Sequence, residues 1–209
     1  MAKKCSFYAW LPVLGLACFA ILIVIAHVLR PDVDMVTKTV SHYARGRYRW
    51  LAISAFIIQG SSMVLLAALM QKRLRPSSYW GTGPLAIAGV SVIVLGIFPI
   101  DPTPQDFSVI GGIHRYATIT DTCATLVAMV YWTRYYGNHR QRRIYHLSFV
   151  LFTLAWTSSV LMFATGGEPV LGITQRISIV MFWAWFNMAA IALLSERRWR
   201  SPSRSALQT

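Results

Sequence analysis

Three ionisable residues stand out in a chain that is otherwise mostly apolar: Asp101, His114 and Asp121. They lie at the ends of long hydrophobic runs or inside them. There an ionisable group is costly and usually faces a bundle interior or a cavity. Asp101 closes IFPID (97–101) and His114 lies in GGIHRYA (111–117), thirteen positions further on. A carboxylate beside an imidazole orients the ring and raises its basicity, so such a pair suits a general base with its orienter, or two ligands of a divalent metal ion. Against that stands a plainer role, with Asp101 making a turn before Pro102 and His114 a polar residue at a helix start. Asp121 follows His114 by seven residues, which puts both on one face of a helix. The hydroxyls of Thr118, Thr120 and Thr122 surround it in sequence and could solvate it as a proton relay, a ligand or a hydrogen-bond hub.

A second group suits substrate or anion binding. Ser41 and His42 stand together in TVSHYARGR (39–47). Adjacency alone does not make a catalytic dyad, which is defined by geometry. The following Arg45, Arg47 and Arg49 either hold a phosphate or anchor the chain at an interface with Tyr48 and Trp50. Arg115 directly follows His114, and Gln175 and Arg176 in GITQR (172–176) open another apolar run. Arg176 could snorkel, reach Asp101 or Glu168, or hold an anionic group. The sequence holds no GxSxG, HExxH, P-loop or dinucleotide fingerprint. A divalent metal ion on Asp101 and His114 is the one cofactor these residues suggest.

The elements that must position these groups are membrane spans. Of 209 residues 56% are hydrophobic and only 13% charged, too few to cover a water-facing surface. The apolar residues form six blocks, about 7–29, 50–70, 80–100, 114–133, 144–164 and 175–194, each near the roughly 20 residues that cross a bilayer. In lipid each must be helical. The expected fold is therefore all-α, a single six-helix transmembrane bundle over residues 1–199, with a short basic, disordered tail at 200–209. The first block is too long for a cleavable signal sequence and reads as an uncleaved span. Cys5, Cys18 and Cys123 show neither a disulfide framework nor zinc spacing.

Charge orients the bundle. With both termini on one side, thirteen of the Lys and Arg residues fall on that side and seven on the other, so the positive-inside rule places both termini in the cytoplasm. The net charge of +13 thus reflects topology and anionic lipid headgroups rather than nucleic acid. Asp32, Asp34, Asp101, Asp106 and Glu168 gather on the outer face, with His27, His42 and His114. The segment 30–49 puts five basic residues on that same face, which suggests an amphipathic stretch along the interface. Small residues such as Gly89 and Gly96 mark close helix approach.

IFPID, GGIHRYA and GITQR, the last preceding a helix with Trp183 and Trp185, resemble the bacterial membrane proteins grouped as domain of unknown function 998. The resemblance covers about residues 8 to 195. VSHYARGRYRW fits the first outer loop of that family loosely, with Ser41-His42 where the family usually has Ser followed by an acid. The resemblance implies a six-helix bundle in the bacterial inner membrane and a remote likeness to eukaryotic six-helix proteins linked to lipid remodelling and autophagy. It implies no established activity. It does group Asp101, His114 and Arg176.

Three functions fit these residues. The first is a membrane-embedded enzyme acting on a lipid or lipid-linked substrate at the outer leaflet, with His114 as base or ligand, Asp101 as orienter, Arg176 as anion clamp and Asp121 deeper. The second is a non-catalytic protein that binds lipid or a partner, its polar residues locking helices 3, 4 and 6, since breaking a buried charged pair costs about 3–5 kcal/mol. The third is a small transporter carrying protons on Asp121.

Overall fold

The computed structural model describes residues 10–74, 78–103, 106–139, 141–164 and 169–199, with side chains through residue 194. The expected tail at 200–209, and Glu168, lie outside the described residues. Among the described residues six α-helices follow one another: α1 Leu11–Leu29, α2 Arg49–Arg73, α3 Tyr79–Ile97, α4 Val109–Asn138, α5 Arg142–Ala164 and α6 Leu171–Trp199. No strand occurs among the described residues. Each helix packs on the next in the chain, and α6 returns to α1 and α2. Among the described residues five helices are long and apolar enough to cross a membrane: α1, α2, α3, α5 and α6 up to Leu194. This marks a helical membrane protein. α4 is the exception, because its central turns carry Thr118, Thr120, Asp121, Thr122 and Thr125.

The helix ends follow from local chemistry. Phe98 precedes Pro99, and a residue before proline is pushed out of the α region. Phe98 is extended, with φ −105° and ψ 104°, so α3 stops at Ile97. Asp101 therefore lies in the following loop rather than on the helix end, where the block 80–100 would place it. Ser108 caps α4, its Oγ accepting from the Gly111 N–H at 2.9 Å. That cap starts α4 five residues earlier than the apolar block at 114 and puts His114 in its second turn.

α2 and α3 approach at glycine. A Cβ on Gly60 would fall 2.3 Å from the Gly89 carbonyl, and one on Gly89 would fall 2.7 Å from the Gly60 carbonyl. Trp132, Trp185, Tyr43 and Phe186 are the largest fully buried side chains. Both buried indoles find acceptors, as burial requires: Trp132 donates to the Gly81 carbonyl at 3.1 Å and Trp185 to Ser148 Oγ at 2.9 Å.

The segment between α1 and α2 is not an interfacial helix. Val40–Ala44 forms a 3-10 helix with Val40, Ser41, Tyr43 and Ala44 buried, so it plugs one end of the bundle. Arginines tie it down. Arg30 donates to the carbonyls of Arg45 and Arg47 and pairs with Asp32 at 2.7 Å, and Arg45 donates to the Ile100 carbonyl. Two of the five basic residues at 30–49, Arg30 and Arg45, thus serve backbone carbonyls that non-helical segments leave without partners.

Candidate functional site

The plug, the α3–α4 loop and the adjoining ends of α4, α5 and α6 enclose a cavity of about 400 Å³, within the range that takes small-molecule ligands. Ser41, His42, Asp101, His114, Arg115 and Gln175 all line it. Six of the eight residues singled out in the sequence therefore converge there. Asp121 and Arg176 do not line it.

Two of its lining residues, Ser41 and His114, touch each other, and both are almost fully buried. Ser41 Oγ is 3.0 Å from His114 Nε2, and His114 Nδ1 is 2.7 Å from the Phe98 carbonyl oxygen. A carbonyl only accepts, so Nδ1 carries the proton. In the neutral ring Nε2 then accepts, and Ser41 donates its hydroxyl hydrogen. The sequence explains why Phe98 is available. α3 has ended, and the residue four positions on is Pro102, which has no N–H to occupy that carbonyl. A serine hydroxyl bonded to an imidazole that is itself oriented from behind is the arrangement of an activated nucleophile.

Asp101 does not orient His114. Its Oδ1 accepts from the Ser108 hydroxyl at 2.6 Å, and its Oδ2 faces Arg115 Nη2 at 3.5 Å. The carboxylate lies against the first turn of α4, where the helix dipole favours a negative charge. A Cβ on Gly111 would fall 1.9 Å from Oδ2, so glycine is what lets Asp101 approach. Arg115 also donates to the Asp106 carbonyl at 2.7 Å and stacks over Phe107. It places positive charge at the cavity edge.

Gln175 is bound through its oxygen, which accepts from the Val40 N–H at 2.7 Å. A backbone N–H can only meet the amide oxygen, so the amide nitrogen carries the two donors and is left for the cavity. His42 meets Thr39 Oγ1 at 2.8 Å. Burial, followed by the charge of Lys38, pushes its pKa down to about 4, so the ring is neutral at ordinary pH.

Arg176 makes a different set of contacts from the expected Asp101. It donates to the carbonyls of Met35, Lys38 and Gly172 at 2.8, 2.7 and 3.0 Å and to Tyr43 Oη at 3.3 Å. Gly172 lets the 35–38 backbone lie across the start of α6, since a Cβ there would meet its carbonyls at 2.5–2.8 Å. Arg176 thus holds the plug on α6.

Asp121 lines a second, smaller cavity of about 60 Å³, together with Gln59, Thr122 and Ser178. Ser41, Thr118 and Gln175 line both cavities. Thr125 donates to Asp121 Oδ1 at 3.2 Å. The inner space is large enough to admit water. Among the described residues no three His, Cys, Asp or Glu side chains are grouped to hold a metal ion. His42, Asp101 and His114 all line the cavity, but they are not grouped as a metal-holding set. The single sequence gave no sign that Phe98, Ser108 and Thr39 hold these groups, since each acts through a turn or a cap.

Fold and site together define a helical membrane protein with a largely apolar cavity, carrying several polar side chains, at one end of its bundle. The chain belongs to the family described as Protein of unknown function (DUF998), whose model matches residues 13–192. No curated protein and no solved structure matches it.

Proposed function

We propose that this chain is a membrane-embedded acyl hydrolase or acyltransferase that acts on a lipid or lipid-linked ester, with Ser41 as nucleophile and His114 as general base. The observation that carries this reading is the 3.0 Å contact from Ser41 Oγ to His114 Nε2, with Nδ1 held by the Phe98 carbonyl. Ser41 Oγ attacks the carbonyl carbon of the substrate as its proton passes to Nε2. The Phe98 carbonyl stabilises the imidazolium, and the Gln175 amide N–H groups meet the oxyanion of the tetrahedral intermediate. Collapse expels the alcohol, which takes the proton from Nε2 and leaves Ser41 acylated. Water, or an acceptor alcohol, then attacks the acyl-enzyme with His114 again as base. The small cavity toward Asp121 is a store for that water. The apolar wall of Ile119, Met162, Phe163 and Leu171 suits an acyl chain, and Arg115 suits a phosphate.

In this reading all six helices cross the inner membrane, including α4, whose polar turns face the bundle. Both termini are cytoplasmic and the cavity opens near the outer leaflet. A periplasm-dependent reporter fused after Asp106 is expected to be active, and an inactive fusion would overturn that orientation. Purified protein in mixed micelles should release fatty acid from phospholipid or simple esters, and Ser41→Ala should lower the rate about 10³-fold or more. Equal rates in both proteins would remove the assignment. The second reading, a non-catalytic lock, is favoured at Arg176 and Asp101 by their ties to backbone carbonyls and to the α4 cap.

A further inference from the structure

At the end of the bundle away from the candidate site, two cavities meet at one residue. The first is an apolar groove of about 490 Å³ on the outside of α3, α4 and α5. Leu126, Val127, Val130 and Tyr131 of α4 form its floor, and Trp80 and Trp156 flank it. The second is a polar pocket of about 540 Å³ between the last turn of α4 and the first of α5, containing Arg142, Tyr145 and His146. Arg134 lines both.

The groove runs along α4 from Cys123 to Arg134, eleven residues or about 16 Å of helix. That matches one leaflet of a hydrocarbon core about 30 Å thick. Arg134 therefore stands where an acyl chain would give way to a headgroup. No acid among the described residues pairs with the charge there. Among the described residues neither the Arg134 nor the Arg142 side chain has an ion pair or a hydrogen bond, and both residues are exposed. Asp121, the one acid on α4, is thirteen residues from Arg134, about 20 Å along the axis. Two guanidiniums at the mouth of an apolar groove suit one ligand class, a phosphate ester on a hydrocarbon chain.

We propose that this surface binds an anionic phospholipid, with one acyl chain in the groove and its phosphate held between Arg134 and Arg142. Tyr145 Oη and the His146 ring supply further polar contacts to the headgroup. This site is separate from the Ser41–His114 cavity and stands whether or not that cavity is catalytic.

The test is thermal unfolding of the detergent-purified chain with added phosphatidylglycerol, phosphatidylcholine of the same acyl chains, or inorganic phosphate. Phosphatidylglycerol is expected to raise the melting temperature well above the other two. Arg134→Gln and Arg142→Gln should each weaken its apparent affinity by about tenfold, the loss of one charge-assisted contact. Val127→Trp, which fills the groove and leaves both charges in place, should weaken it similarly. Equal shifts from both lipids would overturn the proposal. So would protection by inorganic phosphate equal to that by lipid, or Val127→Trp with undiminished affinity, since either outcome assigns the arginines to a free anion.

Discussion

The Ser41 hydroxyl lies 3.0 Å from Nε2 of His114, although seventy-three positions separate the two residues. Neither could make this contact from its own element alone. Ser41 reaches the bundle because the 3-10 plug is folded inward, and His114 faces it because Ser108 starts α4 where it does. The far side of the ring is fixed by a carbonyl that Pro99 and Pro102 together leave without a helical partner. Both partners of this hydrogen bond are almost fully buried.

Gly111 is the point where Asp101 meets α4. Gly111→Ala is expected to lower stability in detergent by about 1–3 kcal/mol, because the added methyl collides with a carboxylate that is itself fixed. Gly112→Ala is the matched control, since its Cβ would meet nothing within 4 Å. That change should be neutral or should stabilise by up to about 1 kcal/mol. Equal melting temperatures for the two variants would contradict the packing of Asp101 on the helix start.

Arg176 is expected to act on the plug rather than on an anion. Arg176→Gln should cost about 1.5–3 kcal/mol, the scale of hydrogen bonds to a charged group, and should open residues 31–38 to protease. Arg176→Lys should recover little, because an ammonium cannot fork across the Met35 and Lys38 carbonyls. A variant with wild-type stability and protease resistance but lost activity would move Arg176 to the substrate.

His42 makes stability fall in acid. Its pKa in the folded protein is about 4, below the ordinary 6.5, because burial and then the Lys38 charge oppose the imidazolium. Between those values the unfolded chain binds the proton and the folded chain does not, so stability is lost as pH falls from about 6.5 toward 4. His42→Gln should flatten this part of the curve in a denaturation series over that range. An unchanged slope would place the proton uptake elsewhere.

The sequence carried the helices and most of the polar residues that line the cavity at one end of the bundle. Runs of apolar residues and the asymmetry of the acids are strong signals. They brought Asp101, His114, Ser41, His42, Arg115 and Gln175 into one list, and these six line one cavity. It did not carry the pairing. Asp101 was the natural orienter of His114 by depth and spacing, yet a backbone carbonyl holds that nitrogen, and no side-chain pattern marks a carbonyl. Ser41 was set beside His42 by adjacency, while its partner is fixed by the inward fold of a loop with no apolar periodicity. The basic residues at 30–49 read as an interfacial stretch because their backbone acceptors are invisible in a list of side chains.

The proposed activation of Ser41 by His114 has a direct test. Reaction of the purified chain with a fluorophosphonate probe, followed by peptide mass spectrometry, tests it without knowledge of the substrate. A single adduct on Ser41 is predicted, absent in Ser41→Ala and strongly slowed in His114→Ala when that variant melts like wild type. A folded wild-type protein that carries no adduct on Ser41, or labelling at Ser41 that survives the loss of His114 at full rate, would contradict it.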